Sequence, residues 1–124
     1  MAYSGFDRSR LRFYPLAERA NRVHIETLPE LTQYSYKELG ETQQASLEHA
    51  ANLIQAARRK DAPVILAFGA HTIKNGLAPV LISLMEKGWI THLATNGAGI
   101  IHDWEIAFQG KTSENVAQNV AAGK

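Results

Sequence analysis

Two short apolar runs with a helical pattern between them constrain the fold of this chain more than any other feature of its sequence. Val64–Phe68 and Ile90–Ala94 are too short for helices, and Leu77–Lys87 between them carries apolar residues at helical spacing. Short apolar runs of this kind are typical of parallel strands covered on both faces, and strand, helix, strand is the order of a βαβ unit. We therefore expect an α/β fold, a Rossmann-like parallel sheet with helices on both faces.

Small residues follow each of the two runs. Gly69–Gly76 comes after the first run, and Thr95–Gly99 comes after the second. Ligands of α/β sheets bind beyond the carboxyl ends of the strands. We therefore expect the functional site at these two turns.

The clearest helix of the sequence is Glu41–Lys60, with Thr42 as a plausible N-cap. Apolar residues at i, i+3, i+4 and i+7 predict a buried stripe along it, formed by Leu47, Ala50, Ala51, Ile54 and Ala57. Residues 1–40 before this helix are predicted to be an N-terminal arm, and residues 41–124 the Rossmann-like part. Within the arm, Leu16–Arg22 is predicted to form a short helical piece.

Two further helical segments are predicted after the second strand. Ile100–Phe108 has helical spacing, with Ile100, Ile101, Trp104 and Phe108 along one side. Lys111–Glu114 contains a helix start signal, because Thr112 or Ser113 is a suitable cap, and Val116 and Val120 follow as a thin apolar stripe.

Composition argues against several classes of protein. The formal net charge is +1 and the basic residues are scattered, so no nucleic-acid partner is expected. The chain has 0 cysteines, which excludes disulfides, cysteine metal sites and a thiol nucleophile. The first residues lack the apolar core of a signal peptide, and no apolar run approaches the ~20 residues of a membrane helix. We expect a soluble cytoplasmic protein with no membrane partner.

The two turns carry only partial phosphate-binding motifs. Gly97–Ala98–Gly99 lacks the third glycine of the dinucleotide fingerprint, although it stands after a strand and before a helix as that fingerprint does. Lys74–Asn75 does not complete a Walker motif, so ATP is not the expected ligand.

The acid and base candidates lie just beyond the second turn. His102 is suited to moving a proton near neutral pH, and Asp103 and Glu105 stand beside it. An exposed helix start enriched in acids would give the same pattern, and the residues alone do not separate the two interpretations. His71, His92 and His102 match no zinc-ligand spacing, so no metal site is expected.

The segment from Gly69 to about Ala107 also resembles a known family. It reads GAH-T-I-K-N-G at the first turn and T-N-G-A-G-I-I-H-D at the second. These turns and their separation resemble the NAD-binding region of deoxyhypusine synthase, which reads roughly TSN-x-I-x-S-G and T-T-A-G-G-x-E-E-D. Agreement in residue type covers Ile73, Gly76, Leu93, Thr95, Gly99 and Asp103.

The resemblance implies NAD as cofactor, a homotetramer, and transfer of an aminobutyl group from a polyamine to a protein lysine or another amine. It places the dinucleotide against both turns, at Gly69, Ala70, His71, Thr95, Asn96, Gly97, Ala98 and Gly99. His102 and Asp103 become the catalytic candidates, with Asp103 pairing a cationic group and His102 moving a proton. Residues 41–124 would then form a Rossmann-like NAD-binding part.

Two departures from the family pattern keep alternatives open. Ile101 and His102 stand where the family has two glutamates, and no lysine here corresponds to the family's covalent one. A homospermidine-synthase-like enzyme and a non-catalytic nucleotide-binding or regulatory domain are the alternatives.

The predicted parallel sheet has fewer strands than an independent sheet needs. We therefore expect the chain to be incomplete as an isolated monomer, with further strands or other subunits covering it. The alternative is that Leu11–Tyr14 or Val23–Ile25 supplies extra edge strands.

Overall fold

The computed structural model describes residues 5, 7, 9, 13–33 and 38–122, and within them the chain has an α/β architecture. The strands are β1 (Asn21–His24), β2 (Ile65–Phe68), β3 (His92–Thr95) and β4 (Lys111–Glu114). The α-helices are α1 (Glu41–Arg59), α2 (Ala70–Lys74), α3 (Ala78–Glu86), α4 (Gly97–Gln109) and α5 (Val116–Ala121). Short 3-10 turns occupy Leu16–Glu18, Ile25–Thr27 and Leu31–Gln33.

The predicted parallel pairing is present. β2 and β3 run side by side, with Ile65 opposite His92 and Phe68 opposite Thr95, and α3 lies between them in the chain. The second strand begins later than predicted, at His92 instead of Ile90, and it includes Thr95. The hydroxyl of Thr91 accepts from the Val64 amide at 2.9 Å and donates to the Val64 carbonyl at 3.0 Å, which starts the pairing.

Both predicted turns are largely helical. Residues Ala70–Lys74 of the first turn form α2, and Gly97 of the second is already in α4. The Asn96 side chain accepts a hydrogen bond from the Gly99 amide at 3.0 Å, so it caps α4 one residue after the strand. Small residues and a capping asparagine allow a helix to start as soon as the strand ends.

A second small sheet forms where the sequence predicted a helix start. Lys111–Glu114 is the strand β4, paired antiparallel with β1 so that Val23 lies opposite Thr112 and Asn21 opposite Glu114. Threonine suits helix caps and strands alike, and here the pairing with β1 makes the segment a strand. Val23 therefore does lie in a strand, as the alternative held, but that strand does not extend the parallel sheet. The described residues contain two sheets of 2 strands each.

The predicted buried stripe of α1 is largely exposed. Leu47 is 57% exposed, and residues 41–53 are all exposed. The amide of Gly40, and not Thr42, stands at the cap position, where it donates to the Gln43 side chain at 3.2 Å. Partial burial begins at Ile54, and Arg58 near the end of the helix donates to the Gly88 carbonyl at 2.8 Å. The buried apolar residues of the described chain are instead Ile73, Leu81 and Ile90.

No helix within the described residues combines the length and apolar character needed to cross a bilayer.

Candidate functional site

The carboxyl ends of the two parallel strands bring the predicted site segments together. Phe68 and Thr95 are paired last residues, and the Thr95 hydroxyl donates to the Phe68 carbonyl at 3.0 Å. The next residues, Gly69 and Asn96, are also close, since a Cβ on Gly69 would lie 3.9 Å from Asn96 Nδ2. The two segments therefore meet at the carboxyl ends of β2 and β3, as their positions after the strands predicted.

A cavity of about 310 Å³ opens beside these strand ends, between α3 and α4. Three of the sequence-predicted residues line it: Thr95, Gly99 and Asp103. The rest of its wall is apolar and includes Phe68, Leu81, Met85, Leu93 and Ile100. Among the lining residues that the structure describes, Asp103 is the only one with an ionisable side chain.

The remaining predicted residues lie near this cavity without lining it. Gly97 and Ala98 are exposed at the amino end of α4, and His71 is exposed on α2. A Cβ built on Gly97 would meet nothing within 4 Å, so space is open at this helix end. Gly69, Ala70 and Asn96 occupy the neighbouring starts of α2 and α4.

Asp103 and His102 take different directions from adjacent positions on α4. Asp103 lines the cavity with Gly99, one turn before it, whereas the His102 ring lies against β4. Nδ1 of His102 is 2.6 Å from the Thr112 hydroxyl oxygen. The structure therefore places the two candidate catalytic residues in different surroundings.

Behind His102 lies a buried polar cluster that joins three segments of the chain. The Thr112 hydroxyl donates to Oε2 of Glu105 at 2.6 Å, and Arg19 Nη2 lies 2.7 Å from Oε1 of the same carboxylate. Glu105 is 8% exposed and Thr112 is 0% exposed. We call these residues, with His102, the α4–β4 cluster.

Local structure explains how the α4–β4 cluster forms. Gly110 has a φ of 67°, a left-handed conformation that glycine adopts without strain, and it ends α4. The chain then reverses into β4, which returns Thr112 to the helix face that carries His102 and Glu105. Pairing of β4 with β1 brings Arg19, just before β1, to the same carboxylate.

The pKa of Glu105 lies below its ordinary value. Burial acts to raise this pKa, but the hydrogen bonds from Thr112 and Arg19 and the positive charge of Arg19 outweigh it, with a smaller contribution from His102. The carboxylate is therefore ionised near neutral pH.

Sequence reasoning missed Thr112 and Arg19 as site residues. One signal was available: His102 and Glu105 are three residues apart and so share a helix face that Asp103 does not. The partners of that face come from segments 10 residues ahead and 83 residues behind His102, and no local pattern predicts such contacts.

Within the described residues, no group of three or more histidine, aspartate or glutamate side chains is placed to hold a metal ion.

Comparisons with family models, with curated proteins and with solved structures find no match to this chain.

Proposed function

We propose that this protein is a deoxyhypusine-synthase-like enzyme that binds NAD at the Thr95–Gly99 segment and acts on a small cationic amine. One observation carries the proposal: an open, asparagine-capped helix start meets an apolar cavity at the ends of two parallel strands. Asp103 is the single charged group among the described residues that line this cavity. The parallel β2–α3–β3 arrangement supports the proposal, because Rossmann-like folds carry such sites at the carboxyl ends of parallel strands.

The residues at the start of α4 fit the phosphates of a dinucleotide. A helix start presents unpaired amides and a positive dipole end, which favour anions. Gly97 leaves that end open, since no atom lies within 4 Å of where its Cβ would be. When bound, NAD would supply a hydride acceptor for oxidation of the amine.

The cavity suits the carbon chain and the charged end of an amine. Its apolar wall would receive the methylenes, and the Asp103 carboxylate would pair with the ammonium group. The proposed acceptor of the transferred aminobutyl group is a protein lysine or another amine, as the family resemblance implies. A homo-oligomer, a tetramer by the same resemblance, is part of the proposal.

Calorimetric titration of the protein with NAD tests the cofactor assignment. Gly97→Val should abolish NAD binding, because its side chain would fill the space left for the phosphates, while circular dichroism stays unchanged. Ala107→Val, on an exposed position further along α4, is the matched control and should bind normally. A folded Gly97→Val protein with unchanged NAD affinity would show that the cofactor assignment is wrong.

Titration with spermidine in the presence of NAD tests the amine assignment. Asp103→Asn should weaken binding of the amine at least tenfold, because it removes the only charge that the described residues place in the cavity wall. Glu86→Gln, which neutralises an exposed acid on α3, should leave that affinity unchanged. Equal losses in the two variants would mean that the amine responds to overall charge and does not occupy the cavity.

A non-catalytic nucleotide-binding domain is the second candidate. Ile101, 57% exposed, stands where the resembling family has a glutamate that holds the polyamine. An isoleucine there supplies no partner for a desolvated ammonium group. Binding of NAD without any NADH formation from spermidine or related amines would favour this candidate.

A further inference from the structure

The imidazole of His102 belongs to a hydrogen-bonded series of three groups, with Thr112 and Glu105, in which few arrangements of the protons are possible. Its Nδ1 lies 2.6 Å from the Thr112 oxygen, and that oxygen lies 2.6 Å from Oε2 of Glu105. Thr112 is fully buried at 0% exposed, so its hydroxyl has no alternative partner in water. The His102–Thr112 and Thr112–Glu105 contacts must therefore both be hydrogen bonds.

The number of protons available to these three groups determines which of them donates in each hydrogen bond. A threonine hydroxyl has one proton to donate, and an ionised carboxylate only accepts. Arg19, 2.7 Å from the other oxygen of Glu105, keeps that carboxylate ionised, in line with its lowered pKa. The Thr112 proton therefore goes to Glu105, and the Thr112 oxygen must accept a proton from Nδ1 of His102.

We propose that Glu105 and Thr112 are positioning residues that hold His102 as the Nδ1–H tautomer, so that Nε2 is its basic nitrogen. This tautomer is the minor one in free histidine. No other hydrogen bond of the His102 ring occurs within residues 13–33 and 38–122 of the structure. Nε2 is consequently available to accept a proton.

Proton acceptance at Nε2 produces an imidazolium whose charge the α4–β4 cluster compensates. The Nδ1–H bond remains on Thr112, and the Glu105 carboxylate faces the new positive charge through that hydroxyl. The charged groups of the cluster are Glu105 on α4 and Arg19 before β1, while β4 contributes only the neutral Thr112. The tautomer does not rest on the proposed function, because His102 lies against β4 and is not part of the wall of the cavity in which we place the amine.

Nitrogen-15 NMR of the full chain, without ligand and at a pH where the ring is neutral, tests the tautomer. The chain has 5 histidines, so the signal of His102 is assigned by its loss in His102→Gln. The expected result is a protonated Nδ1 and an unprotonated Nε2 at His102. A neutral His102 found with its proton on Nε2 would overturn the proposal before any other variant is made.

Variants of Thr112 then test the origin of the tautomer. Thr112→Val removes the hydroxyl at nearly constant volume and should shift the His102 population towards Nε2–H, whereas Thr112→Ser should restore the wild-type spectrum. If the folded Thr112→Val protein and the wild type give the same spectrum, the Thr112 hydroxyl does not determine the tautomer and the proposal fails.

Glu105→Gln provides a second test should Thr112→Val fail to fold. In this variant Arg19 pairs with the amide oxygen, so the amide NH2 group faces Thr112 and donates to its oxygen. The Thr112 proton is then free for Nδ1, and the Nδ1–H population should fall. Persistence of that population in the folded Glu105→Gln protein would contradict the proposal. Because these measurements need neither NAD nor amine, their failure is distinct from failure of the proposed function.

Discussion

At the scale of single residues, Arg19 is the counter-charge of a buried carboxylate. Its Nη2 lies 2.7 Å from Glu105, and the Arg19 Nε donates to Asn21 at 3.1 Å. Removing one partner of a buried ion pair leaves the other charge uncompensated, at a typical cost of about 3–5 kcal/mol. Urea unfolding should show a loss of this size for Arg19→Met.

Arg22→Met is the matched control for Arg19→Met. Arg22 is exposed and makes a longer side-chain contact, 3.3 Å to Asn115, so its loss should change the free energy of unfolding by only about 0.5 kcal/mol. The double variant Arg19→Met, Glu105→Leu should recover most of the lost stability. Equal effects of the two single variants would contradict the role assigned to Arg19.

The lowered pKa of Glu105 predicts how stability depends on pH. The folded state holds the proton of the Glu105 carboxyl group less tightly than the unfolded state, in which this group has its ordinary pKa of 4.5. The stabilisation is complete above pH 4.5 and is lost as pH falls from there through the lowered folded pKa. Urea unfolding at a series of pH values should therefore show a steeper acid loss for wild type than for Glu105→Gln.

Among the secondary-structure elements, α4 packs closely against the end of β3 because Gly99 has no side chain. Gly99 is buried, and a Cβ built there would overlap the Thr95 hydroxyl at the end of β3. Gly99→Ala should therefore force the helix start away from the strand and lower the melting temperature by several degrees. Gly97→Ala, two residues earlier and facing open space, should be neutral. Equal melting temperatures in both variants would contradict this packing.

The sequence predicted the elements whose own residues determine them. β2, α3 and β3 follow from apolar runs and helical spacing, and their parallel pairing is confirmed. The helix expected around Val116 and Val120 forms as α5, but its cap is Asn115 and not Thr112 or Ser113. Lys111–Glu114 has no apolar pattern and becomes the strand β4 through its pairing with β1, which the sequence did not predict. The stripe on α1 shows the same limit, since periodicity indicates an apolar face but not what covers it.

The same distinction between local sequence and long-range pairing applies to the residues of the candidate site. Thr95, Gly99 and Asp103 were predictable because strand ends and helix starts are local features of the sequence. Thr112 and Arg19 were not, because each reaches Glu105 only through the antiparallel pairing of β1 and β4.

At the scale of the whole molecule, many large apolar side chains in the described part of the chain remain exposed, and the buried apolar side chains there are limited to Ile73, Leu81 and Ile90. The outer face of α4 contributes exposed Ile101, Trp104 and Phe108, the last two with stacked rings 4.9 Å apart. Aromatic faces of this kind are typical of the centres of protein interfaces.

We therefore predict a homo-oligomer in which the outer face of α4 is buried. Light scattering at micromolar concentration should give a mass above 13.7 kDa for wild type and a reduced mass for Ile101→Asp. Leu47→Asp on α1 is the matched control, because Leu47 and Ile101 are both 57% exposed, and it should keep the wild-type mass. A cooperatively folded wild-type monomer would show this prediction to be wrong.

The attachment of α1 through its last turn has a consequence for its hydrogen exchange. Arg58 donates to the carbonyls of Gly88 at 2.8 Å and Ala62 at 2.7 Å, while residues 41–53 of the helix remain exposed. A helical segment of that length is marginal on its own in water, so it should open without the rest of the molecule unfolding. Amide protection measured by deuterium uptake should therefore decline steadily from Arg58 towards Glu41, as in a strip fixed at one end.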